Sequence, residues 1–246
     1  MTFGHRADRR DFEDAKDKIM LGVERRSVVL SPEDRRLAAY HEAGHALLNL
    51  LIPGLDPVHK VTIVPQGRAL GITFTLPEED RRSYTRAYIL GRLAVAYGGR
   101  VAEEVVFGPD RITTGAVNDF QQATELARRM VTQFGMSEVV GPIAVIEHPE
   151  LALVGRDVVP RYEVSQHTAE LVDREVRRIV DEAYGRATGL IRANRATLDA
   201  LASALLERET LERADVEAIV AGTPPPRAAT AEQPGAGQAP EPAQAA

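Results

Sequence analysis

Apolar side chains recur at helical spacing along most of this chain, and the positions between them are largely charged or polar. The segment 11–26 shows such a stripe. A second helix should begin at Ser31-Pro32, because a serine hydroxyl can cap free N–H groups and proline fits the first helical position. This helix should end near Leu51, before Pro53-Gly54. Further helices are predicted at about 83–107 with an interruption at Gly98-Gly99, at about 117–134, and over 165–221 with breaks near 189–194 and 208–210.

Two segments between the helices have the pattern of strands. Residues 58–64 and 69–76 alternate or run apolar with β-branched side chains, and Pro65-Gln66-Gly67 separates them. We expect these two strands to pair as a hairpin, and a further short strand is predicted at 143–146. The pattern therefore predicts a mainly α fold with a small β-sheet.

The composition narrows the class of protein. Of the 246 residues, 44% are hydrophobic and 27% are charged, as in ordinary globular domains. The net charge of −6 provides no basic field for nucleic acid, so no nucleic-acid partner is expected. Cysteine is absent, which excludes disulfides, thiolate zinc sites and cysteine nucleophiles. Any metal ion must therefore bind to His, Asp or Glu side chains.

The two ends of the chain show no targeting pattern. No segment has the features of a signal peptide or of a membrane span, so the chain as given is expected to be soluble. Residues 222–246 contain no Leu, Ile, Val or aromatic side chain, and such a segment cannot offset the entropy cost of ordering. We expect a disordered tail there, rich in Pro and Ala.

One motif carries candidate chemistry, the run His41-Glu42-Ala43-Gly44-His45 inside the second predicted helix. Positions four apart lie on the same helical face, so His41 and His45 can present imidazole nitrogens to one metal ion. In the H-E-x-x-H pattern, the glutamate takes a proton from the attacking water and is not a ligand. Glycine inside a helix lowers the stability of the helix by roughly 1 kcal/mol relative to alanine. Gly44 therefore indicates a position where another backbone or a substrate comes too close for a side chain.

A catalytic zinc site needs a third protein ligand beside the two histidines. Two acids, Glu103 and Glu104, lie on the helix after Gly98-Gly99, and Asp119 lies at the start of the next helix. An acid at a helix start is also expected simply because it offsets the helix dipole. The spacing does not choose among the three. A surface position is the simpler interpretation of the remaining histidines, which are His5, His59, His148 and His167.

Several segments resemble, in the same order, the peptidase part of the FtsH family of membrane-bound, ATP-dependent zinc proteases. Together they cover about residues 11–220, so the resemblance is more than a bare motif match. The segments are 11–16 with 24–26, 39–46, 98–104, 114–119 and 130–137.

The resemblance implies a zincin-like helical metalloprotease domain with one Zn²⁺ per chain. In that family the zinc ligands are the two motif histidines and the Asp of a T-G-A-x-N-D segment, which correspond here to His41, His45 and Asp119. The base is the motif glutamate, here Glu42. Glu103 could hold a ligand histidine in one tautomer, although a solvated helix acid explains it as well.

The resemblance also suggests where a substrate would lie. Residues Gly71, Ile72, Thr73 and Phe74 fall where the family has an edge strand beside the active site. An extended peptide could pair with such an edge, which would give cleavage with little sequence preference. An ordinary sheet strand is an equally good interpretation of the sequence alone.

The family implies partners that this sequence does not itself encode. Its members carry a membrane anchor and an AAA+ module that binds ATP and Mg²⁺, and they work as homo-hexamers on unfolded proteins at the cytoplasmic face of the bacterial inner membrane. The sequence contains no G-x-x-x-x-G-K-[ST] loop, so nucleotide binding is not expected in this chain. We interpret 1–30 as a remnant of the AAA+ lid helix and linker, 31–221 as the zinc peptidase domain and 222–246 as the disordered tail.

Two functions from different classes fit these features. The first is a zinc endopeptidase that degrades unfolded or unassembled polypeptides. The alternative is a non-catalytic assembly module that forms hexamers and whose metal site is only structural. A structural site would not need a base at Glu42, which favours the enzyme.

Overall fold

The computed structural model describes residues 30–66, 69–77, 81–145, 153–154, 157–158 and 164–223. In this part of the chain the helices are α1 (Pro32–Leu51), α2 (Arg86–Ala96), α3 (Gly98–Phe107), α4 (Val117–Thr132), α5 (Gln166–Ala193), α6 (Arg195–Arg208) and α7 (Arg213–Val220). The strands are β1 (Val58–Thr62), β2 (Ile72–Thr75), β3 (Leu153–Val154), β4 (Asp157–Val158) and β5 (Thr210–Glu212), and short 3₁₀ turns cover Pro109–Arg111 and Thr114–Ala116. The prediction of a mainly α fold with a small sheet is confirmed.

Helix α1 begins and ends where the sequence predicts. The Ser31 hydroxyl accepts a hydrogen bond from the backbone N–H of Asp34 at 3.0 Å, and Pro32 occupies the first turn. From Ala38 onward most of the helix is buried, and it packs most extensively against α3 and α6. Because this helix is central, side chains on its several faces meet different neighbouring elements.

The predicted hairpin is present, and a third strand extends it. The sheet has the order β2-β1-β5 with both pairs antiparallel, so β2 lies at an edge of the sheet in the described residues. Strand β5 was not predicted, because three residues are too few to show a period and its partner β1 is far away in sequence. Leu211 in β5 is fully buried opposite Val61 of β1. The predicted helix break near 208–210 is therefore a turn into a strand.

Other boundaries differ from the predictions in small ways. Helix α2 is capped by Thr85, whose hydroxyl accepts the N–H of Tyr88 at 3.2 Å, and not by Ser83. Residues 143–145 of the predicted strand 143–146 form no strand; the N–H of Val145 instead donates to the carbonyl of Thr132 at 2.7 Å. The predicted helix at 11–26 lies outside the described residues, as does nearly all of the predicted tail. None of the helices in the described part combines the length and hydropathy that a membrane crossing requires.

Helices α1 and α3 touch through their backbones at one point. A Cβ atom added to Gly44 would lie 2.3 Å from the carbonyl oxygen of Gly98, and one added to Gly98 would lie 2.7 Å from the carbonyl oxygen of Gly44. Both distances are below van der Waals contact, so neither position has room for a side chain. This close approach was predicted at Gly44 from its unfavourable place inside a helix.

We expect Gly44→Ala to lower the free energy of unfolding by about 1–3 kcal/mol, because the added methyl group must push two helices apart. Urea denaturation followed by circular dichroism, at one fixed zinc concentration, measures this change. The matched control is Gly185→Ala on α5, where an added Cβ meets nothing within 4 Å. In this control the free energy of unfolding should rise by roughly 0.5–1 kcal/mol, because alanine has a higher helix propensity than glycine. If the two substitutions shift the midpoint alike, the contact between α1 and α3 does not constrain the helices.

Candidate metal centre

His41 and His45 lie one turn apart on α1 and turn their rings towards each other. The ring centroids are 4.8 Å apart, and the two Nε2 atoms are 3.1 Å apart. Both side chains are largely buried, with 13% and 11% of their surface exposed. Two unprotonated nitrogens at this distance would repel, so the pair is stable only with a cation or a proton between them.

Asp119 completes a triangle of possible ligand atoms. It lies in the first turn of α4, directly after the 3₁₀ turn Thr114–Ala116. Its Oδ2 atom is 3.2 Å from Nε2 of His41 and 3.6 Å from Nε2 of His45. In a tetrahedral zinc site with bonds of about 2.0–2.1 Å, ligand atoms are about 3.3 Å apart. The triangle thus has the size of one face of such a site, and these are the residues that could hold a metal.

The second nitrogen of each ring is also fixed. Nδ1 of His41 is 2.7 Å from a carboxylate oxygen of Glu103, and Nδ1 of His45 is 2.8 Å from the carbonyl oxygen of Val95. Both of these oxygens are acceptors, so both Nδ1 atoms must donate. In a neutral ring the Nε2 lone pair is then free and directed into the triangle, which is the arrangement a metal-binding histidine needs.

Glu103 is itself held firmly. Its side chain is 2% exposed, and its Oε2 accepts the N–H of Thr113 at 3.0 Å and the Thr113 hydroxyl at 3.2 Å. Gly99 makes room for the imidazole ring of His41, since a Cβ atom added to Gly99 would lie 2.4 Å from Nε2 of that ring. The orientation of His41 is therefore set from two sides.

The charges of the site favour a cation at its centre. Burial disfavours charging of His41, but hydrogen bonds with Asp119 and Glu103 outweigh burial and raise the pKa of His41 to about 10. Burial would also raise the pKa of Asp119, yet its contacts with the two imidazoles hold that pKa well below its usual range. The pKa of Glu103 is likewise lowered, because its hydrogen bonds to His41 and Thr113 outweigh burial. Asp119 is thus ionised next to both Nε2 atoms, and Glu103 is ionised at Nδ1 of His41. The negative charge next to the Nε2 pair suits a divalent cation.

Glu42 lies beside the triangle and is not part of it. Its side chain is buried, with 6% of the residue exposed. One carboxylate oxygen, Oε2, accepts a hydrogen bond from the Thr73 hydroxyl at 2.7 Å. The negative charge of Glu42 also acts on His41, since it contributes to the raised pKa of that ring. A carboxylate in this position can exchange a proton with a water molecule at the triangle.

The structure distinguishes the three acids that the sequence spacing offers as a third metal ligand. Asp119 faces both Nε2 atoms, whereas Glu103 contacts only Nδ1 of His41. Glu104 accepts a hydrogen bond from the hydroxyl of Tyr184 on α5. Of the remaining histidines, His59 packs its ring against Phe74. Outside the described residues lie His5 and His148.

Three contacts at this site could not be read from the sequence. They are the Val95 carbonyl at His45, the Thr113 backbone at Glu103 and the Thr73 hydroxyl at Glu42. Backbone groups leave no pattern in a sequence. The alternation in β2 does place Thr73 and Thr75 on one face, but it does not tell which face meets α1. Of the predicted edge residues, Ile72–Phe74 lie in this strand and Gly71 directly precedes it; Gly71 and Thr73 are next to Glu42.

Comparison with known proteins places these features in a family. Residues 28–219 match the family model described as "Peptidase family M41". An "ATP-dependent zinc metalloprotease FtsH 4" from Sorangium cellulosum is 54% identical over 214 residues, covering 86% of this chain and 33% of that protein. An "ATP-dependent zinc metalloprotease FtsH" from Thermobaculum terrenum is 50% identical over 213 residues, covering 87% of this chain and 32% of that protein. The chain thus spans about a third of the length of these curated relatives.

We expect Asp119→Ala to lower bound zinc much more than Glu103→Ala does. Loss of a ligand removes a bond to the ion, whereas loss of a residue that orients a ligand usually costs 10–100-fold in affinity. Zinc content after dialysis against a competing chelator, measured by atomic emission, gives the order. Asp110→Ala removes an exposed carboxylate near the same loop and should leave zinc unchanged. If Glu103→Ala loses more zinc than Asp119→Ala, the ligand is Glu103.

Proposed function

Because this chain belongs to peptidase family M41, we propose that it is a zinc-dependent endopeptidase domain that cleaves unfolded or unassembled polypeptides. The observation that carries this proposal is the triangle of His41, His45 and Asp119 with the Glu42 carboxylate beside it. The relatives' names, which describe ATP-dependent zinc metalloproteases, support zinc as the metal. A non-catalytic assembly module is not favoured, since no observation on these residues requires it.

In the proposed mechanism, His41, His45 and Asp119 would hold the zinc ion. A bound zinc ion supplies Lewis acidity to a peptide carbonyl and lowers the pKa of water. Glu42 accepts a proton from the attacking water and later donates it to the leaving amine. Glu103 and the Val95 carbonyl keep both imidazoles oriented throughout, because each holds one Nδ1–H.

We propose that the substrate lies extended along Gly71–Phe74. Strand β2 pairs with β1 on one side only in the described residues, so its other edge can accept main-chain hydrogen bonds. Thr73 in this strand contacts Glu42, which supports a substrate position next to the proposed base. Main-chain pairing reads little side-chain identity, so broad cleavage preference is expected.

The wider assembly is proposed from the family resemblance. We propose that the complete protein is a homo-hexamer with an AAA+ module, which would bind ATP and Mg²⁺, and a membrane anchor. Its place would be the cytoplasmic face of the bacterial inner membrane. The relatives' printed description as ATP-dependent supports the AAA+ partner. The lid remnant at 1–30, the peptidase domain at 31–221 and the tail at 222–246 remain our proposed domain boundaries.

Glu42→Gln should abolish digestion of casein while zinc content stays at the parent level. Glutamine keeps the size of the side chain but cannot accept the proton, and general-base catalysis contributes about 10²–10⁴-fold in rate. Release of acid-soluble peptides from labelled casein measures the activity. Glu207→Gln, at an exposed carboxylate on α6, is the matched control and should digest casein like the parent. Near-parental activity of Glu42→Gln would show that the proposed mechanism is wrong.

A stably folded substrate should resist this chain. Cleavage needs an extended backbone, and a folded domain hides its segments behind roughly 5–15 kcal/mol of unfolding free energy. The test compares one disulfide-bonded protein in its native form with the same protein reduced and alkylated, which keeps sequence and concentration equal. We expect the unfolded form to disappear at least about 100-fold faster. Equal rates would mean that the site accepts folded segments, contrary to the proposed substrate class.

A further inference from the structure

The hydrogen bond from Thr73 to Glu42 has no role in the mechanism proposed for Glu42 and the metal ligands. The Thr73 hydroxyl lies 2.7 Å from Oε2 of Glu42 and 3.1 Å from the backbone carbonyl oxygen of the same residue. A hydroxyl has one hydrogen and rotates freely, so it has an acceptor on Glu42 in either orientation. The contact therefore ties strand β2 to the residue proposed as the base.

The register of the sheet explains why Thr73 meets α1. Thr73 pairs with Val61, a fully buried residue of strand β1. Side chains alternate along a strand, so Thr73 and Thr75 share one face of β2. Only Thr73 reaches Glu42; the Thr75 hydroxyl instead accepts a hydrogen bond of 3.4 Å from Arg92. The two threonines thus share a strand, a face and a side-chain hydroxyl, but the two hydroxyls have different hydrogen-bond partners.

A second contact encloses the same carboxylate from the backbone side. A Cβ atom added to Gly71 would lie 2.7 Å from Cγ and 2.8 Å from Oε1 of Glu42. The backbone of Gly71 thus covers one side of the side chain, and the Thr73 hydroxyl binds its far end. A glutamate side chain has three rotatable bonds, and without such contacts it would sample many orientations.

We propose that Thr73 is a positioning residue for Glu42, whose hydroxyl holds the carboxylate in the orientation that accepts the proton. This rests on the proposed function, because it assumes that Glu42 is the base. A general base must lie within hydrogen-bond reach of the proton it takes, and a small displacement can cost about 10²-fold in rate. Thr73 acts through Glu42 and takes no proton from the substrate itself.

The test measures kcat and KM of the full chain on a short internally quenched peptide. Thr73→Val removes the hydroxyl but keeps the branched shape and all main-chain hydrogen bonds of the strand. We expect kcat to fall about 10- to 100-fold while KM changes by less than about threefold. Thr73→Ser restores the hydroxyl and should keep kcat within about threefold of the parent. Zinc content and the thermal midpoint should equal those of the parent in both variants.

The matched control is Thr75→Val, the same change on the same strand face, and its kcat should stay at the parent level. A parental kcat in Thr73→Val would overturn the proposal, and so would an equal loss in Thr73→Ser or in Thr75→Val. A change confined to KM would also overturn it, since that would mean that Thr73 only binds the peptide. If Glu42→Gln retains activity, the proposed function fails together with the positioning role. If Glu42→Gln is inactive and Thr73→Val is like the parent, only the positioning role fails.

Discussion

The backbone contact between Gly44 and Gly98 sets the distance on which the metal centre depends. It brings α3 so close to α1 that Glu103, one turn further along α3, reaches Nδ1 of His41. The same approach brings the end of α2, with the Val95 carbonyl, to Nδ1 of His45. One contact without side chains therefore provides the hydrogen-bond partners of both imidazoles.

The sequence predicts those parts of the fold that depend on local pattern. The bounds of α1 follow from Ser31, Pro32 and the Pro53-Gly54 pair, and the hairpin follows from alternation around a turn. The third ligand is different, because Glu103, Glu104 and Asp119 all lie at helical positions that spacing cannot rank. Only the resemblance to a family favoured Asp119, and the structure gives the geometric reason in the loop that precedes α4. Strand β5 was missed because its pairing with β1 is non-local.

The possible ligand atoms of the site come from two different kinds of segment. Its nitrogens come from a long, buried helix, whereas its carboxylate oxygen comes from the start of α4, directly after a 3₁₀ turn. Strand β2 contributes no residue to the triangle, yet its Thr73 and the preceding Gly71 contact the Glu42 side chain. The edge of the sheet and the proposed base are thus in direct contact.

The ligand atoms also connect two distant parts of the chain. Roughly 75 residues separate His45 from Asp119, and an ion bound to both would close the intervening segment into a loop. In the chain-entropy description of a cross-link, a loop of this length is worth about 4.5 kcal/mol of stability. In a sequence without cysteine, the metal would take the place that a disulfide has in other proteins. The stability of this domain would then depend on the concentration of available metal ion and would not depend on the redox state of its surroundings.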